Sequence, residues 1–172
     1  MENSMIKSLR KQKQVERLQG KFKFRGYNLL EHSYMVATLY IHVCKHEGLE
    51  ANMNQIDAIL KHDILETITL DLPYDIKHLN RKTEEAWSVI EDQSINNKAP
   101  NLIDYTDVEI SMLFSPQEWI IFKVCDALDL WMFCKEEVRL GNTSRDMFNV
   151  INKCEQLICG KFTSVDEIMG DF

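Results

Sequence analysis

Apolar and polar residues follow one another along this chain with the spacing of α-helices. Helical patterns cover residues 5 to about 19, 29 to 47, 53 to 68, 81 to 95, 105 to 113, 116 to 140 and 144 to 159. Patterns of period two, which are typical of strands, are weak throughout. We therefore predict an all-α fold, a compact helical bundle of six to seven helices that forms one domain over residues 1–172.

The strongest helix signals lie at the two ends of the segment from residue 116 to 140. Ser115 is a good N-cap, Pro116 suits the first turn, and Glu118 stands at the capping-box position. Gly141, followed by an asparagine, is a typical C-terminal signal. Between these ends the segment is hydrophobic nearly all round, which predicts a central, buried helix.

Charge and cysteine content narrow the functional classes. The net charge of -7 argues against general affinity for nucleic acid or an anionic membrane. The acidic excess is uneven, because eight basic residues and one acid, Glu16, lie between Lys7 and Arg25. This basic segment can receive an anionic ligand, or it can be a solvated helix face that binds nothing.

Five cysteines without C-x-x-C spacing, and an N-terminus without the apolar core of a secretory signal, predict a reduced, cytoplasmic protein.

Several ionisable residues interrupt helix faces that otherwise belong to the core. His62, Asp63 and Glu66 continue the apolar stripe of the third predicted helix, and His32 and Asp126 lie on apolar faces of two others. Burial of such groups is costly unless they are paired or bound to a cation. Two imidazoles and two carboxylates together suggest a divalent-metal site, although each residue alone is also typical of a hydrogen-bonded core position.

The same residues carry a resemblance to a known family. The chain has "EHS" at 31–33, "HD" at 62–63 and "CDALDL" at 125–130, a pattern that resembles the H…HD…D motif of the HD-domain metal-dependent phosphohydrolases. The segment "HDILETITLDLP", an arginine fifteen residues before the first of these histidines, and "CKEEVRLGN" are similar to the bacterial HD-domain 5′-deoxynucleotidases. The resemblance covers roughly residues 10 to 155.

This resemblance implies a role for each matching residue. It implies one divalent cation, with manganese or cobalt favoured over zinc, iron or magnesium, and it implies a homodimer. Glu66 would handle protons beside the cation, and Asp63 would be both a catalytic residue and a ligand. Arg17 would contact the phosphate, Asp71 would accept a hydrogen bond from the sugar 3′-hydroxyl, and Lys77 would add positive charge. The implied metal ligands are His32, His62, Asp63 and Asp126.

Two further positions stand beside these motifs. Leu18 occupies the place where the family has a tryptophan that is thought to exclude ribonucleotides, so it is a candidate substrate-binding residue and the sugar preference stays open. Asp129 lies one turn after Asp126. From there it can orient a metal ligand, or it can equally bond a neighbouring helix.

We predict hydrolysis of a nucleoside 5′-monophosphate, with a deoxynucleotide favoured, to nucleoside and phosphate. The alternative among enzymes is a deoxynucleoside triphosphate triphosphohydrolase on the same metal core. A non-enzymatic helical module that binds nucleic acid through the basic segment is the other class. This second class leaves the inward-facing His62 and Asp126 unexplained. We expect a nucleotide substrate as the partner, and neither a membrane nor a stable nucleic-acid partner.

Overall fold

α-Helices account for the regular structure of this protein. The computed structural model describes residues 2–70, 79–98 and 107–172. In these ranges there is no strand, only an isolated bridge between Glu16 and Asn28. The all-α fold is confirmed, with more helices than the six to seven predicted. The helices are α1 (Glu2–Lys11), a 3₁₀ helix (Gln12–Gln14), α2 (Leu29–His46), α3 (Met53–Lys61), α4 (Glu66–Thr69), α5 (Arg81–Lys98), α6 (Asp107–Ser111), α7 (Pro116–Arg139), α8 (Arg145–Ile158) and α9 (Thr163–Asp171).

Helix α7 is the centre of the bundle. The Ser115 hydroxyl accepts a hydrogen bond from the Glu118 amide, and the Glu118 carboxylate accepts one from the Ser115 amide, which closes a capping box. The helix packs against α2 and α8, and Phe122, Cys125 and Leu128 on it are fully buried. Burial of this apolar surface is the main term that stabilises the bundle. The predicted central helix is thus confirmed at both ends.

The first helix is shorter than predicted. It ends at Lys11 instead of near residue 19, and a 3₁₀ turn follows. Beyond that turn, bonds to a distant segment hold the chain: the Glu16 carboxylate accepts from the Tyr27 amide at 3.0 Å, and the Arg17 amide donates to the Tyr27 carbonyl at 2.7 Å. These bonds hold the chain extended, so the helix cannot continue.

The third predicted helix is broken where its polar residues lie. Helix α3 ends at Lys61 and α4 begins only at Glu66. Between them the Ile64 amide bonds the Lys61 carbonyl at 2.9 Å, and the Glu66 amide bonds the Asp63 carbonyl at 3.0 Å. Such bonds between residues three apart tighten the chain into turns. The prediction that His62 and Glu66 share one helix face is therefore wrong.

The other predicted helices agree with the structure to within a few residues. Helix α5 continues to Lys98 instead of ending near residue 95, and α9 was not among the predicted elements. Helix α9 packs on α2, and its Val165 side chain is fully buried. Among the residues that the structure describes, no helix is both long enough and apolar enough to cross a membrane.

Candidate active site

Four predicted site residues converge where three segments of the bundle meet. His32 comes from α2, His62 and Asp63 from the turn after α3, and Asp126 from α7. His32 Nε2 lies 3.3 Å from His62 Nε2 and 3.1 Å from Asp126 Oδ1. Asp63 Oδ2 lies 3.6 Å from His32 Nε2 and 3.3 Å from His62 Nε2. One ligand atom from each of His32, His62 and Asp63 therefore lies within 4.8 Å of the others, and Asp126 Oδ1 adjoins this group at His32 Nε2.

Hydrogen bonds on the far side of both imidazole rings determine which nitrogen faces this cluster. His62 Nδ1 lies 2.7 Å from the Ile59 carbonyl oxygen, and His32 Nδ1 lies 2.7 Å from Asp129 Oδ2. A carbonyl and a carboxylate only accept, so each Nδ1 carries the hydrogen. In a neutral imidazole Nε2 is then the bare lone pair, which is the form that binds a metal. Two such lone pairs 3.3 Å apart repel each other unless positive charge is shared between them.

The donor atoms and their spacing fit a divalent cation. Two imidazole nitrogens with two carboxylate oxygens suit manganese, iron, cobalt or zinc. Two ligand atoms that each lie about 2.1 Å from one zinc ion in a tetrahedral site are about 3.4 Å apart, close to the separation of the two Nε2 atoms. The side chains of Asp63 and Asp126 are 20% and 29% exposed, so the cluster opens to solvent on its carboxylate side.

The charges in the cluster strengthen its attraction for a cation. Burial alone raises the pKa of Asp63 and of Asp126, but the neighbouring histidines, joined by Arg17 at Asp63, outweigh it, and both pKa values fall below the usual range. Burial alone lowers the pKa of His62, whereas Asp63 and Asp126 raise it to about 9. Both carboxylates are thus ionised at neutral pH and favour positive charge beside them.

Tyr27 is a buried polar residue at this site that sequence reasoning missed. Its hydroxyl donates to Asp129 Oδ2 at 2.6 Å and lies 3.0 Å from His32 Nδ1. Its ring stacks on Phe133 with centroids 4.2 Å apart. Burial raises the pKa of Tyr27 well above its usual range, so the hydroxyl keeps its proton. No motif marks Tyr27, whereas Asp129 had one signal, its spacing of one turn from a predicted ligand.

Arg17 and Leu18 lie at the edge of the cluster but differ in what they contact. The Arg17 guanidinium donates to Asp63 Oδ2. The backbone of Leu18 has a φ of 54°, in the left-handed region that residues other than glycine rarely adopt. Its side chain is half-buried and packs against the hydrophobic core. The structure therefore brings Arg17 to the cluster, and directs Leu18 mainly toward the core.

The remaining predicted residues belong to α4 and the segment after it. Glu66 is the first residue of α4 and is half-buried. Burial alone lowers the pKa of Arg17, but the charges of Asp63, Glu66 and Asp126 contribute to raising it well above its usual range, so the Glu66 charge interacts with Arg17. Asp71 and Lys77 fall outside the described residues.

The basic loop (Lys21–Arg25), which follows Leu18 closely in the chain, is anchored to the far end of α7. The fully buried Glu137 carboxylate accepts from the Phe24 amide at 2.7 Å and from the Arg25 amide at 3.0 Å. Asn142 donates to the same carboxylate at 3.0 Å. The predicted acidic helix with its Gly-Asn ending thus holds the loop that leads away from Arg17.

Known proteins share these sequence features. A sequence profile for the family described as 5′-deoxynucleotidase YfbR-like matches residues 4–163. The chain belongs to this family. The 5′-deoxynucleotidase of Shewanella oneidensis is 30% identical over 155 residues, which are 84% of this chain and 78% of that protein. A 5′-deoxynucleotidase of Pectobacterium atrosepticum is 32% identical over 128 residues, which are 69% of this chain and 64% of the relative.

Solved structures have the same fold. An HD-domain phosphohydrolase from Listeria innocua matches with a TM-score of 0.75 at 21% identity, over 99% of this chain and 86% of the other. The HD phosphohydrolase of cyanophage S-2L, bound to dA and one catalytic Zn²⁺ ion, matches with a TM-score of 0.69 at 18% identity, over 96% and 92%. The predicted HD-domain fold is confirmed. Family membership makes the chain a hydrolytic enzyme, a metal-dependent nucleotide phosphohydrolase.

Proposed function

We propose that the protein hydrolyses (deoxy)nucleoside 5′-monophosphates to nucleoside and orthophosphate at the cluster of His32, His62, Asp63 and Asp126. The observation that carries this proposal is the pair of imidazole Nε2 atoms 3.3 Å apart beside two carboxylates. The Shewanella and Pectobacterium relatives are 5′-deoxynucleotidases, which supports a 5′-deoxynucleotide as the substrate. The dA in the cyanophage structure supports a nucleoside-binding site on this fold.

The four clustered residues would hold one divalent cation. When bound, such a cation lowers the pKa of a water molecule and draws charge from a phosphoryl oxygen. Manganese or cobalt follows from the resemblance to the bacterial deoxynucleotidases, whereas the cyanophage structure supports zinc. The donor atoms suit all three metals, so metal analysis of the purified protein is the measurement that distinguishes them.

Arg17 is the residue proposed to bind the substrate phosphate. Its planar guanidinium can donate two parallel hydrogen bonds to two phosphate oxygens, which a lysine cannot do. Its contact with Asp63 Oδ2 keeps the guanidinium at the edge of the cluster. Asp63 would thus have two functions, as a metal ligand and as the group that orients Arg17 toward the reacting phosphate.

Glu66 is proposed as the residue that moves protons. Its carboxylate would take a proton from the water that attacks phosphorus and pass one to the departing 5′-oxygen of the sugar. The interaction of its charge with Arg17 supports this role. Asp71 as the partner of the 3′-hydroxyl, and Lys77 as an added positive charge, are proposals from the family motif alone.

Leu18 bears on the choice of sugar. A tryptophan at this position would be larger and would bring a wide ring next to Arg17, whereas Leu18 is half-buried against the core. We therefore expect deoxynucleotides to be hydrolysed with weaker discrimination against ribonucleotides than a tryptophan would impose.

Three broader properties are also proposed. The match over residues 4–163 supports one domain over the 172 residues. The free state of all five cysteines supports a reducing compartment, the cytoplasm. A homodimer follows from the resemblance, and analytical ultracentrifugation of the metal-loaded protein tests it.

The test of the proposed activity uses protein stripped of metal and reloaded with manganese, cobalt, zinc or magnesium. Each form is incubated with deoxynucleoside and nucleoside 5′-monophosphates and with deoxynucleoside triphosphates. We expect orthophosphate from monophosphates, lost on chelation and restored by metal. Release of triphosphate from deoxynucleoside triphosphates, with no reaction of any monophosphate, would show a triphosphohydrolase instead.

A further inference from the structure

His32 is held by carboxylates at both ends of its ring, and both come from α7. Asp126 Oδ1 lies 3.1 Å from Nε2, and Asp129 Oδ2 lies 2.7 Å from Nδ1. The side chains of the two aspartates are 29% and 7% exposed, respectively. One helical turn thus supplies a partly exposed group on the metal-facing side of the imidazole and a buried group behind it.

Tyr27 completes the arrangement behind His32. Asp129 Oδ2 accepts a hydrogen bond from the Tyr27 hydroxyl at 2.6 Å, and the Tyr27 ring is held by its stack on Phe133, with 11° between the planes. The hydroxyl has one hydrogen, and its shortest contact directs that hydrogen to Asp129. The hydrogen between His32 and Asp129 must then belong to His32 Nδ1.

We infer that Asp129, held in place by Tyr27, is a positioning residue that fixes the orientation and tautomer of His32 for metal binding. This inference rests on the proposed metal-dependent function. A carboxylate behind a metal-binding histidine keeps Nε2 directed at the cation and makes the ring a better donor. Asp129 itself does not face the cluster, because its Oδ2 atom bonds the opposite side of the ring.

Asp129→Asn and Tyr27→Phe test this inference by zinc binding. Both substitutions keep the shape of the side chain, and the second also keeps the ring stack. Calorimetric titration of the stripped protein with Zn²⁺ should show affinity lower by about 10- to 100-fold in Asp129→Asn. Tyr27→Phe should lower it less, by a few-fold, since only the bond that holds Asp129 is lost.

A surface site could confuse this titration, so a modified background is used. His42 and His46 are exposed on one face of α2 with ring centroids 5.0 Å apart, and such a pair can bind transition metals. All variants therefore carry His42→Gln and His46→Gln. Glu137→Gln is the matched control, because it removes a buried charge from the same helix without contacting His32. Its zinc affinity should stay within about twofold of the background.

A spectroscopic measurement separates positioning from general stability. In the zinc-loaded protein, imidazole ¹⁵N–¹H spectra should show the His32 Nδ1–H proton protected by Asp129. Asp129→Asn should shift or remove that resonance. The His62 Nδ1–H resonance, whose partner is the Ile59 carbonyl, should not move. A merely structural role for Asp129 would change unfolding but leave the His32 resonance and the zinc affinity as they are.

The possible failures are distinct. If His62→Ala binds zinc as tightly as its background, the proposed metal site is wrong. If His62→Ala loses zinc while Asp129→Asn and Tyr27→Phe retain full affinity and an unchanged His32 resonance, only the positioning role of Asp129 is overturned.

Discussion

Helix α7 carries carboxylates at two places whose surroundings differ. Near its middle, Asp126 faces two histidines and is 29% exposed. Toward its end, Glu137 is fully buried and accepts hydrogen bonds from the Phe24 and Arg25 amides and from the Asn142 side chain. Burial alone raises the pKa of Glu137, but these donors outweigh it and lower the pKa.

The difference shows that burial alone does not mark a functional carboxylate. Glu137 is the more buried residue, yet its N–H donors, with the Arg25 guanidinium 3.8 Å away, stabilise the charge without a metal ion. Asp126 lies beside the Nε2 atoms of two imidazole rings whose Nδ1–H groups already donate to other acceptors. A carboxylate supplied with backbone N–H donors stabilises the fold, whereas a carboxylate beside two imidazole Nε2 atoms is suited to share a metal with them.

Asp126→Asn tests the metal side of this comparison and has the largest expected effect. Phosphate release should fall by about 10³-fold in kcat/KM, because the cation contributes several kcal/mol to the transition state. The free energy of unfolding of the metal-free protein should change by about 1 kcal/mol or less, since Asp126 is partly exposed. Steady-state kinetics and urea unfolding measure the two quantities. Wild-type activity in this variant would contradict the role of Asp126 in holding a metal.

Arg17→Ala is expected to have the next largest effect. If Arg17 binds the phosphate as proposed, loss of these charge-assisted hydrogen bonds should lower kcat/KM by about 10- to 100-fold. Zinc affinity should be unchanged or higher, because Arg17 no longer competes for Asp63 Oδ2. Arg17→Lys is the control, and it should recover only part of the activity since it lacks the planar fork. A large loss of zinc binding in Arg17→Ala would place Arg17 among the residues that build the metal site.

Glu137→Gln tests the structural side. The free energy of unfolding should fall by about 1–3 kcal/mol, because buried N–H donors lose a charged acceptor. The activity of the protein that stays folded should fall by less than about tenfold, because the substitution affects the basic loop and not the cluster. Glu136→Gln is the matched control, since its carboxylate is 40% exposed and pairs with Arg25 at the surface. Equal stability of the two variants in thermal or urea unfolding would contradict the structural role.

Leu18→Trp is expected to have the smallest effect on overall turnover. The ratio of deoxynucleotide to ribonucleotide hydrolysis should rise by a few-fold, on the scale of steric discrimination in a pocket. Competition assays with both sugars in one reaction measure that ratio directly. Leu18→Met, which keeps a similar volume, should leave it unchanged. An unchanged ratio in Leu18→Trp would show that this position does not contact the sugar.

Helix ends that depend on residues nearby in the sequence could be predicted, whereas helix ends that depend on distant residues could not. The cap formed by Ser115 and Glu118 is local, so the start of α7 was clear from the sequence. The end of α1 depends on the bond between Glu16 and the Tyr27 amide, and no local pattern carries that information. The break after Lys61 was hidden because the apolar stripe continues through it.

The same distinction applies to the candidate site. His32, His62, Asp63 and Asp126 stand out in the sequence because each places an ionisable group among apolar residues. Tyr27 does not stand out, because an aromatic residue in a loop is ordinary. Its partner Asp129 lies 102 residues away in the chain, so only the folded structure shows that the two meet behind a histidine.

The most direct test of the central claim is the position of the metal in crystals of zinc-loaded protein, located by its anomalous scattering. We predict one strong peak about 2.0–2.2 Å from His32 Nε2, His62 Nε2 and the nearest oxygens of Asp63 and Asp126. A peak only at another place, such as between His42 and His46, with none among these four residues, would contradict the account.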